Sequence, residues 1–401
     1  MSAPALFNES AARVMQQCDE LGRITDEPGR LTRTFHSPAM QLANGLVGTW
    51  MRAAGLEVWD DAAFNLFGRW PSARGRARTL LLGSHLDTVR DAGKYDGPLG
   101  VLVALAALEH VKSQGLPLPF HVEVVGFSDE EGVRYQTTYL GSRALAGRLK
   151  KTDLALIQEK GIEKARRKAS EFLAYAEVHI EQGPVLEARD LALGVVTAIA
   201  SQARIRLAFS GVAGHAGTTP MALRRDALCG AAEFIVAVEK APAGQTVATV
   251  GMMQVSSGAS NVIPGRVELS LDVRDQSEAR RGRLCAKLLK IAERLAAQRN
   301  LTLEWKIVQE TPAVPCDKRL TQLMRQAVGR HEREVIALPS GAGHDGAEIA
   351  HLCPMTMLFV RCQGGISHNP AESVQTSDVA KSIAALADFI ILLAAREQGA
   401  V

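Results

Sequence analysis

Short apolar runs that end abruptly in metal-binding or proton-moving residues organise this chain. Thr79 to Ser84 reads as a buried strand and gives out into His85-Leu86-Asp87. The loop Gly93-Lys94-Tyr95-Asp96-Gly97 leads into an apolar helix, Leu99 to Val111. A second strand, His121 to Phe127, closes on Asp129-Glu130-Glu131-Gly132. Upstream, Asn8 to Leu21 has the spacing of an amphipathic helix, and Gly22 to Gly29 that of a loop. Ser37-Pro38 reads as an N-cap with proline at the first helical position, opening a helix that runs to about Ala54 and stops at Gly55. Two short strands are expected at Leu56 to Trp59 and Asn65 to Trp70. Downstream come a helix near Gly141 to Gly147 and a charged stretch, Lys150 to Lys168, that reads as a solvated surface helix. Glu177 to Ile180 is a further strand, giving out into Gln182-Gly183-Pro184. Strands alternating with helices argue for an α/β protein whose sheet carries helices on both faces.

At about Ala203 the pattern changes. Arg204 to Phe209 alternates polar and apolar as a half-buried strand does. A helix (Arg225 to Glu239), two strands (Thr246 to Gln254, Arg266 to Asp272), a long helix (Gln276 to Arg299) and a last strand (Thr302 to Val308) follow. This β-α-β-β-α-β order is the split βαβ, ferredoxin-like arrangement. The earlier style then returns, with a helix at Leu320 to His331, strands near Val335 and at Thr356 to Val360, and a terminal helix, Asp378 to Glu397. The expected organisation is a large α/β domain built from 1–202 and 315–401, with a small domain, 203–314, inserted into it.

Composition narrows the class. The chain has 401 residues, 47% hydrophobic and 22% charged, which suits two globular domains. A net charge of +3 with no basic block interleaved with aromatics argues against nucleic acid. No apolar run reaches the roughly 18 residues of a membrane span, and Asp388 interrupts the longest. No basic segment followed by an apolar core opens the chain, so no export signal is expected. The six cysteines lack CxxC or finger spacing and are expected as free thiols in a cytoplasmic protein.

The candidate chemistry sits where strands run out, which is where open α/β sheets bind ligands. In His85-Leu86-Asp87 both side chains point the same way, so the imidazole can hold a metal while the carboxylate orients it. Alone, such a pair is as often structural, and Asp96-Gly97 alone most often marks a turn. Three adjacent acids are normally a solvated loop. Directly after a buried strand, however, Asp129-Glu130-Glu131 concentrates repulsion that a dication offsets, and one carboxylate can ligate while its neighbour acts as general base. His179 and His368 end two further strand-like stretches. With no cysteine among them, these ligands favour an oxygen/nitrogen site for Zn²⁺ or Mn²⁺ over a thiolate site. Gly214-His215-Ala216-Gly217 and Ala259-Ser260-Asn261 lie in loops of the small domain. Arg274 ends a strand, where it can form a surface ion pair or grip a substrate carboxylate. No GxSxG elbow, Walker loop or strand-linked GxGxxG is present.

Together the segments GSHLDTV, AGKYDGPLG, FSDEEGVR, EVHIEQGPVLE, GHAGTTPM, SNVIPG, LDVRD, SGAGHD and GGISHNPAE resemble the carbamoylase/allantoate amidohydrolase family, within the clan of two-metal aminoacylases and peptidases. The resemblance runs from about Leu31 almost to the C-terminus, and the wording of AGKYDG, SDEEGVR and GGISHNPAE looks most like allantoate amidohydrolases. It implies a large α/β/α metallohydrolase domain with a ferredoxin-like lid and dimerisation domain. His85, Asp96 and His179 would hold one divalent ion and Asp96, Glu131 and His368 a second, Mn²⁺ or Zn²⁺, with Asp96 bridging. Glu130 would be the general base and Asp87 the residue orienting His85. Gln182, His215, Asn261, Arg274 and Gly365 would meet the substrate, His215 and Asn261 either within one chain or across a dimer, with His344 on a loop behind them and His215 also stabilising the oxyanion after closure of the lid. Where the family has alanine after His-Asp, this chain has Gly346.

The implied reaction is hydrolysis of the ureido C–N bond of allantoate to ureidoglycine, ammonia and carbon dioxide. N-carbamoyl-L-amino acids and 3-ureidopropionate are the alternatives, since each also offers a carboxylate to Arg274. The HIEQGP wording disfavours a peptidase. A purely structural metal site has no use for Glu130 beside Glu131, which disfavours a non-enzymatic binding protein. The implied partners are a small anionic ureido substrate and a second copy of the chain, with neither nucleic acid nor membrane.

Overall fold

The computed structural model describes residues 3–256 and 258–399, which form two compact units, Met1–Thr197 with Cys316–Val401, and Ala198–Pro315. The first opens with helix α1 (Ala3–Leu21) and helix α2 (Pro38–Ala53). The Ser37 hydroxyl accepts the Met40 amide at 3.1 Å, and the chain leaves α2 through Gly55 at φ +73°, the start and stop that the sequence predicts. Strands β1 (Glu57–Asp60), β2 (Leu66–Trp70), β3 (Thr79–His85), β4 (His121–Phe127), β5 (Phe172–Ile180) and β6 (Leu193–Ile199) share one sheet with Met355–Val360, Ala337–Ser340 and Val314–Pro315. Its order is β1-β2-β4-β3-β5, then Met355–Val360, β6 and Val314–Pro315, with Ala337–Ser340 also on β6.

The four central strands, β4, β3, β5 and Met355–Val360, are mutually parallel. Their carboxyl ends therefore lie along one edge; β2 and β6 flank them antiparallel, and β1 pairs antiparallel with β2. Every residue of β3, β4 and β5 is buried, as expected of parallel strands covered on both faces. Helix α3 (Pro98–Ser113) crosses over between β3 and β4, apolar on nearly all sides. It packs on β3 and β5 and against α1 and the terminal helix, Thr376–Gly399. Each buried leucine on it contributes on the order of 1.5–3 kcal/mol. A Cβ at Gly100 would lie 2.0 Å from the Val178 carbonyl oxygen, so only glycine lets the first turn of α3 sit this close to β5.

Two stretches differ from the sequence reading. Lys150 to Lys168 is not one solvated helix but a short helix (Lys151–Leu156) and a 3₁₀ turn (Ile162–Ala165), with Gly161 at φ +87° between them. Its apolar residues Ile157, Ile162 and Ala165 are buried with Phe35, Ala63 and Leu140, and Arg167 reaches the fully buried Glu123 at 2.5 Å. The charges mask a segment that packs. The second difference is β6, in a stretch the sequence reading left without an element; its Val195-Val196 core is a strand signal hidden by flanking small residues.

The second unit runs Ser201–Ser210, Ala227–Lys240, Val247–Val255, Arg266–Asp275, Glu278–Gln298 and Thr302–Thr311, the β-α-β-β-α-β sequence. Its four strands are antiparallel in the order last-first-third-second. Phe209, Phe234, Leu271 and Leu288 are central to its core. A separate two-stranded ribbon pairs Gly214–His215 with Val262–Ile263.

Candidate metal centre

The exits of the parallel strands bring the candidate ligands of the large unit together. His85 ends β3, Glu130 and Glu131 follow β4, His179 lies near the end of β5, and His368 follows Met355–Val360. Asp96 enters from the loop before α3. Ligand atoms of His85, Asp96 and His179 lie within 4.8 Å of one another, as do those of Asp96, Glu131 and His368. Asp96 serves both groups: Oδ1 is 3.0 Å from His179 Nε2 and 3.8 Å from His85 Nε2, while Oδ2 is 3.3 Å from His368 Nε2. His368 Nε2 also stands 3.3 Å from Glu131 Oε1. Oδ1 thus faces His85 and His179, and Oδ2 faces His368.

The ring nitrogens are pre-set. His85 Nδ1 is 3.0 Å from the Asp87 carbonyl oxygen, and His179 Nδ1 is 2.9 Å from the Ile180 carbonyl oxygen. A carbonyl only accepts, so each Nδ1 carries the hydrogen and each Nε2 offers its lone pair toward Asp96. Asp96 Oδ1 is buried yet has no aligned hydrogen-bond donor, despite His179 at 3.0 Å. A buried acceptor without a donor suits a cation. Electrostatics point the same way. Burial acts against charge on His85 and His179, but Asp87, Glu130 and Glu131 around the first and Asp96 beside the second push both rings above the ordinary histidine range. Hydrogen bonds to Asp96 and Glu131 push His368 to about 10. Asp96 is held well below the carboxylate range: burial opposes this, but His179, His368 and His85 outweigh it. The donor set gathers negative charge that a cation would offset.

Asp87 organises the acids. Its Oδ1 accepts the Glu130 amide at 3.0 Å and its Oδ2 the Glu131 amide at 3.1 Å. The hydrogen bond that orients His85 goes to the backbone carbonyl of Asp87, whose carboxylate stands 3.5 Å from the ring. Both the main chain and the carboxylate of Asp87 thus stand against His85 Nδ1. Burial holds the Glu130 carboxyl well above the usual range, with Glu131, Asp345 and Asp87 adding repulsion and His85 opposing it.

Gln182 and His368 both have left-handed backbones, at φ +55° and +54°, conformations that non-glycine residues hold only when their surroundings impose them. Gln182 Nε2 donates to Asp96 Oδ2 at 2.7 Å and to Ser367 Oγ at 3.2 Å, and Ser367 Oγ donates to the same Asp96 oxygen at 2.5 Å. Gly365 passes close to the Gly183-Pro184 backbone. His344 lies behind His179. It is buried, paired with Ser340 Oγ at 2.7 Å, and its ring lies 4.4 Å from that of His179, so it backs a ligand.

In the small unit, the register Val262↔His215 and the bond from the Ala216 amide to the Asn261 carbonyl (2.9 Å) make His215 and Asn261 neighbours. His215 is exposed, and its Nδ1 accepts the Gly217 amide at 3.0 Å, so in the neutral ring Nε2 carries the hydrogen as a donor. Arg274 forks onto Asp272 through bonds of 2.8 and 3.2 Å, so its guanidinium already grips a carboxylate of its own strand.

Glu372 escaped the sequence reading as a functional residue. Its buried carboxylate accepts the amides of Tyr95 (2.8 Å) and Asp96 (3.0 Å), fixing the backbone of Asp96, and burial with the Asp96 charge raises it to about 7. Only its place in GGISHNPAE, downstream of His368, could have flagged it. Replacing Glu372 by alanine is expected to weaken Mn²⁺ binding by about 10–100-fold. Chelator competition measures this, and native affinity in the variant contradicts the anchoring role.

Residues 81–392 match the family described as Peptidase family M20/M25/M40. The chain belongs to the M20 family. This M20 chain is 40% identical to allantoate deiminase 2 of Glycine max, over 95% of this chain and 88% of that protein. It is also 40% identical to the N-carbamoyl-L-amino acid amidohydrolase of Geobacillus stearothermophilus, over 92% and 95%. Its fold matches the crystal structure of an amidase of the hydantoinase/carbamoylase family from Burkholderia multivorans with a TM-score of 0.89 at 31% identity, covering 96% of this chain and 98% of that one. The M20 chain is therefore a hydrolase of a metal-dependent family, and His85, Asp96, Glu131, His179 and His368 fit that dependence. Among the described residues no helix is long and apolar enough to cross a membrane.

Proposed function

We propose that this protein hydrolyses the ureido C–N bond of allantoate, yielding ureidoglycine, ammonia and carbon dioxide. The observation that carries the reading is 40% identity to an allantoate deiminase across 95% of the chain, with the whole ligand cluster assembled on the strand exits. His85, Asp96 and His179 would hold one divalent ion, and Asp96, Glu131 and His368 a second, Mn²⁺ or Zn²⁺. Bound there, two divalent cations supply Lewis acidity to the carbonyl and to water. Glu130, its amide anchored on Asp87, takes the proton of the attacking water and returns it to the departing nitrogen. Gln182 and Ser367 fix the orientation of the Asp96 carboxylate through hydrogen bonds to Oδ2. In the small unit His215 donates from Nε2 to the oxygen that gains charge, Asn261 beside it binds the substrate, and Arg274 receives the substrate carboxylate in exchange for Asp272. His215→Ala is expected to lower kcat by about 10²–10³-fold; a kcat within a factor of two of the native value would remove it from the reaction.

The proposed assembly is a homodimer through the small unit. The exposed edge strand Val247–Val255, with Val247, Met252 and Met253 facing solvent, supports it. Free thiols at all six cysteines suit a reducing, cytoplasmic setting. The substrate is tested by comparing kcat/KM for allantoate, N-carbamoyl-L-amino acids and 3-ureidopropionate. Preference for allantoate supports the proposal. Preference for a carbamoyl amino acid keeps the machinery and moves the protein beside its Geobacillus relative.

A further inference from the structure

Arg33 lies in the segment between α1 and α2, far in sequence from every proposed ligand, and its side chain is fully buried. Among the described residues of the large unit no other lysine or arginine is buried, whereas Asp87, Asp96, Asp129, Glu130 and Asp345 all are. Arg33 Nε donates to the Leu86 carbonyl at 2.8 Å, and its Nη1 donates to the Leu21 and Ile24 carbonyls at 2.8 and 3.2 Å. Its backbone doubles the grip. The Arg33 amide donates to Thr88 Oγ1 at 2.9 Å, and the Thr88 amide donates to the Arg33 carbonyl at 2.8 Å. Leu86 and Thr88 flank Asp87, and the Leu86 amide is held from the other side by the Phe127 carbonyl at 3.0 Å.

The turn that carries His85 and Asp87 is therefore clamped between β4 and Arg33. That turn supplies the carbonyl that fixes the His85 tautomer and the carboxylate that anchors the amides of Glu130 and Glu131. Burying a guanidinium is unfavourable, and a clamp on carbonyls alone could be made by a neutral donor. Burial lowers the guanidinium to about 10, and the negative charge of Asp87 acts against that loss.

We propose that Arg33 is a positioning residue of the metal centre. Its fork sets the His85–Asp87 turn, and through that turn the carbonyl and carboxylate that position one ligand and the base. This rests on the metal-centre reading above. The test compares Arg33→Lys, which keeps the charge and loses the fork, with Arg33→Met, which loses both. Mn²⁺ affinity is read by chelator competition without any substrate, and kcat and KM are then measured at saturating Mn²⁺. The expected order of affinity is native, then Lys, then Met, with Met weakened by about 10–100-fold, kcat falling in parallel and KM little changed. A lysine variant that folds with native Mn²⁺ affinity and native kcat overturns the role of the fork. If both variants lose thermal stability but their folded fraction binds Mn²⁺ as the native chain does, Arg33 is a core residue only and the proposal fails. A native chain that binds no Mn²⁺ refutes the metal-centre reading itself, and the Arg33 assignment with it.

Discussion

Glu130→Gln is expected to keep the fold and the divalent ions while losing turnover by about a thousandfold, within the range for removal of a general base. The substitution changes one atom. The Glu130 amide stays on Asp87 Oδ1, and the ligands His85, Asp96, Glu131, His179 and His368 are untouched. What disappears is the only proton acceptor that the reading assigns to the attacking water. Burial and the neighbouring acids Glu131, Asp345 and Asp87 already favour the protonated form of this carboxyl, as befits a group that must both take and return a proton. Metal content by elemental analysis, together with single-turnover ammonia release, separates loss of chemistry from loss of metal. Native turnover with metal retained would assign the base elsewhere.

Gly97→Ala is expected to disable the centre from the steric side. Gly97 sits at φ +85°, and a Cβ there would lie 2.4 Å from His85 Cε1, 2.5 Å from Nδ1 and 2.6 Å from Nε2. Alanine adds backbone strain of about 1 kcal/mol or more, which Gly29→Ala, also at φ +85° but in open space, reproduces without the clash. The difference between the two variants isolates the ring displacement. His85 would have to leave the Asp87 carbonyl, losing both its tautomer and its aim at Asp96. Gly97→Ala is therefore expected to lose Mn²⁺ affinity by about 100-fold and turnover with it, while Gly29→Ala keeps both and shows only a lower Tm. Equal behaviour of the two variants in chelator competition would mean that His85 does not depend on this space.

The centre was legible because its chemistry lies at punctuation points of the hydrophobic pattern. His85, Glu131, His179 and His368 follow or end apolar runs and Asp96 precedes one, and a parallel sheet places such strand exits on one edge. The α/β class and the order of the inserted unit's elements were readable for the same reason, since each element carries its own period. What supports the ligands was not legible. Arg33 and Glu372 act through hydrogen bonds to backbone groups of Leu86, Tyr95 and Asp96, and a backbone partner leaves no pattern in sequence. The split of labour within Asp87, carbonyl to His85 and carboxylate to two amides, depends on how the chain turns after β3. The stretch Lys150 to Lys168 misled because its charges outnumber the three apolar residues that decide its packing.

The most direct test of the central claim is ammonia release from allantoate by metal-depleted protein, before and after reloading with Mn²⁺ or Zn²⁺. The account predicts no turnover in the depleted protein and recovery on reloading. Undiminished hydrolysis without metal, or no hydrolysis of any ureido compound with metal bound, would contradict it.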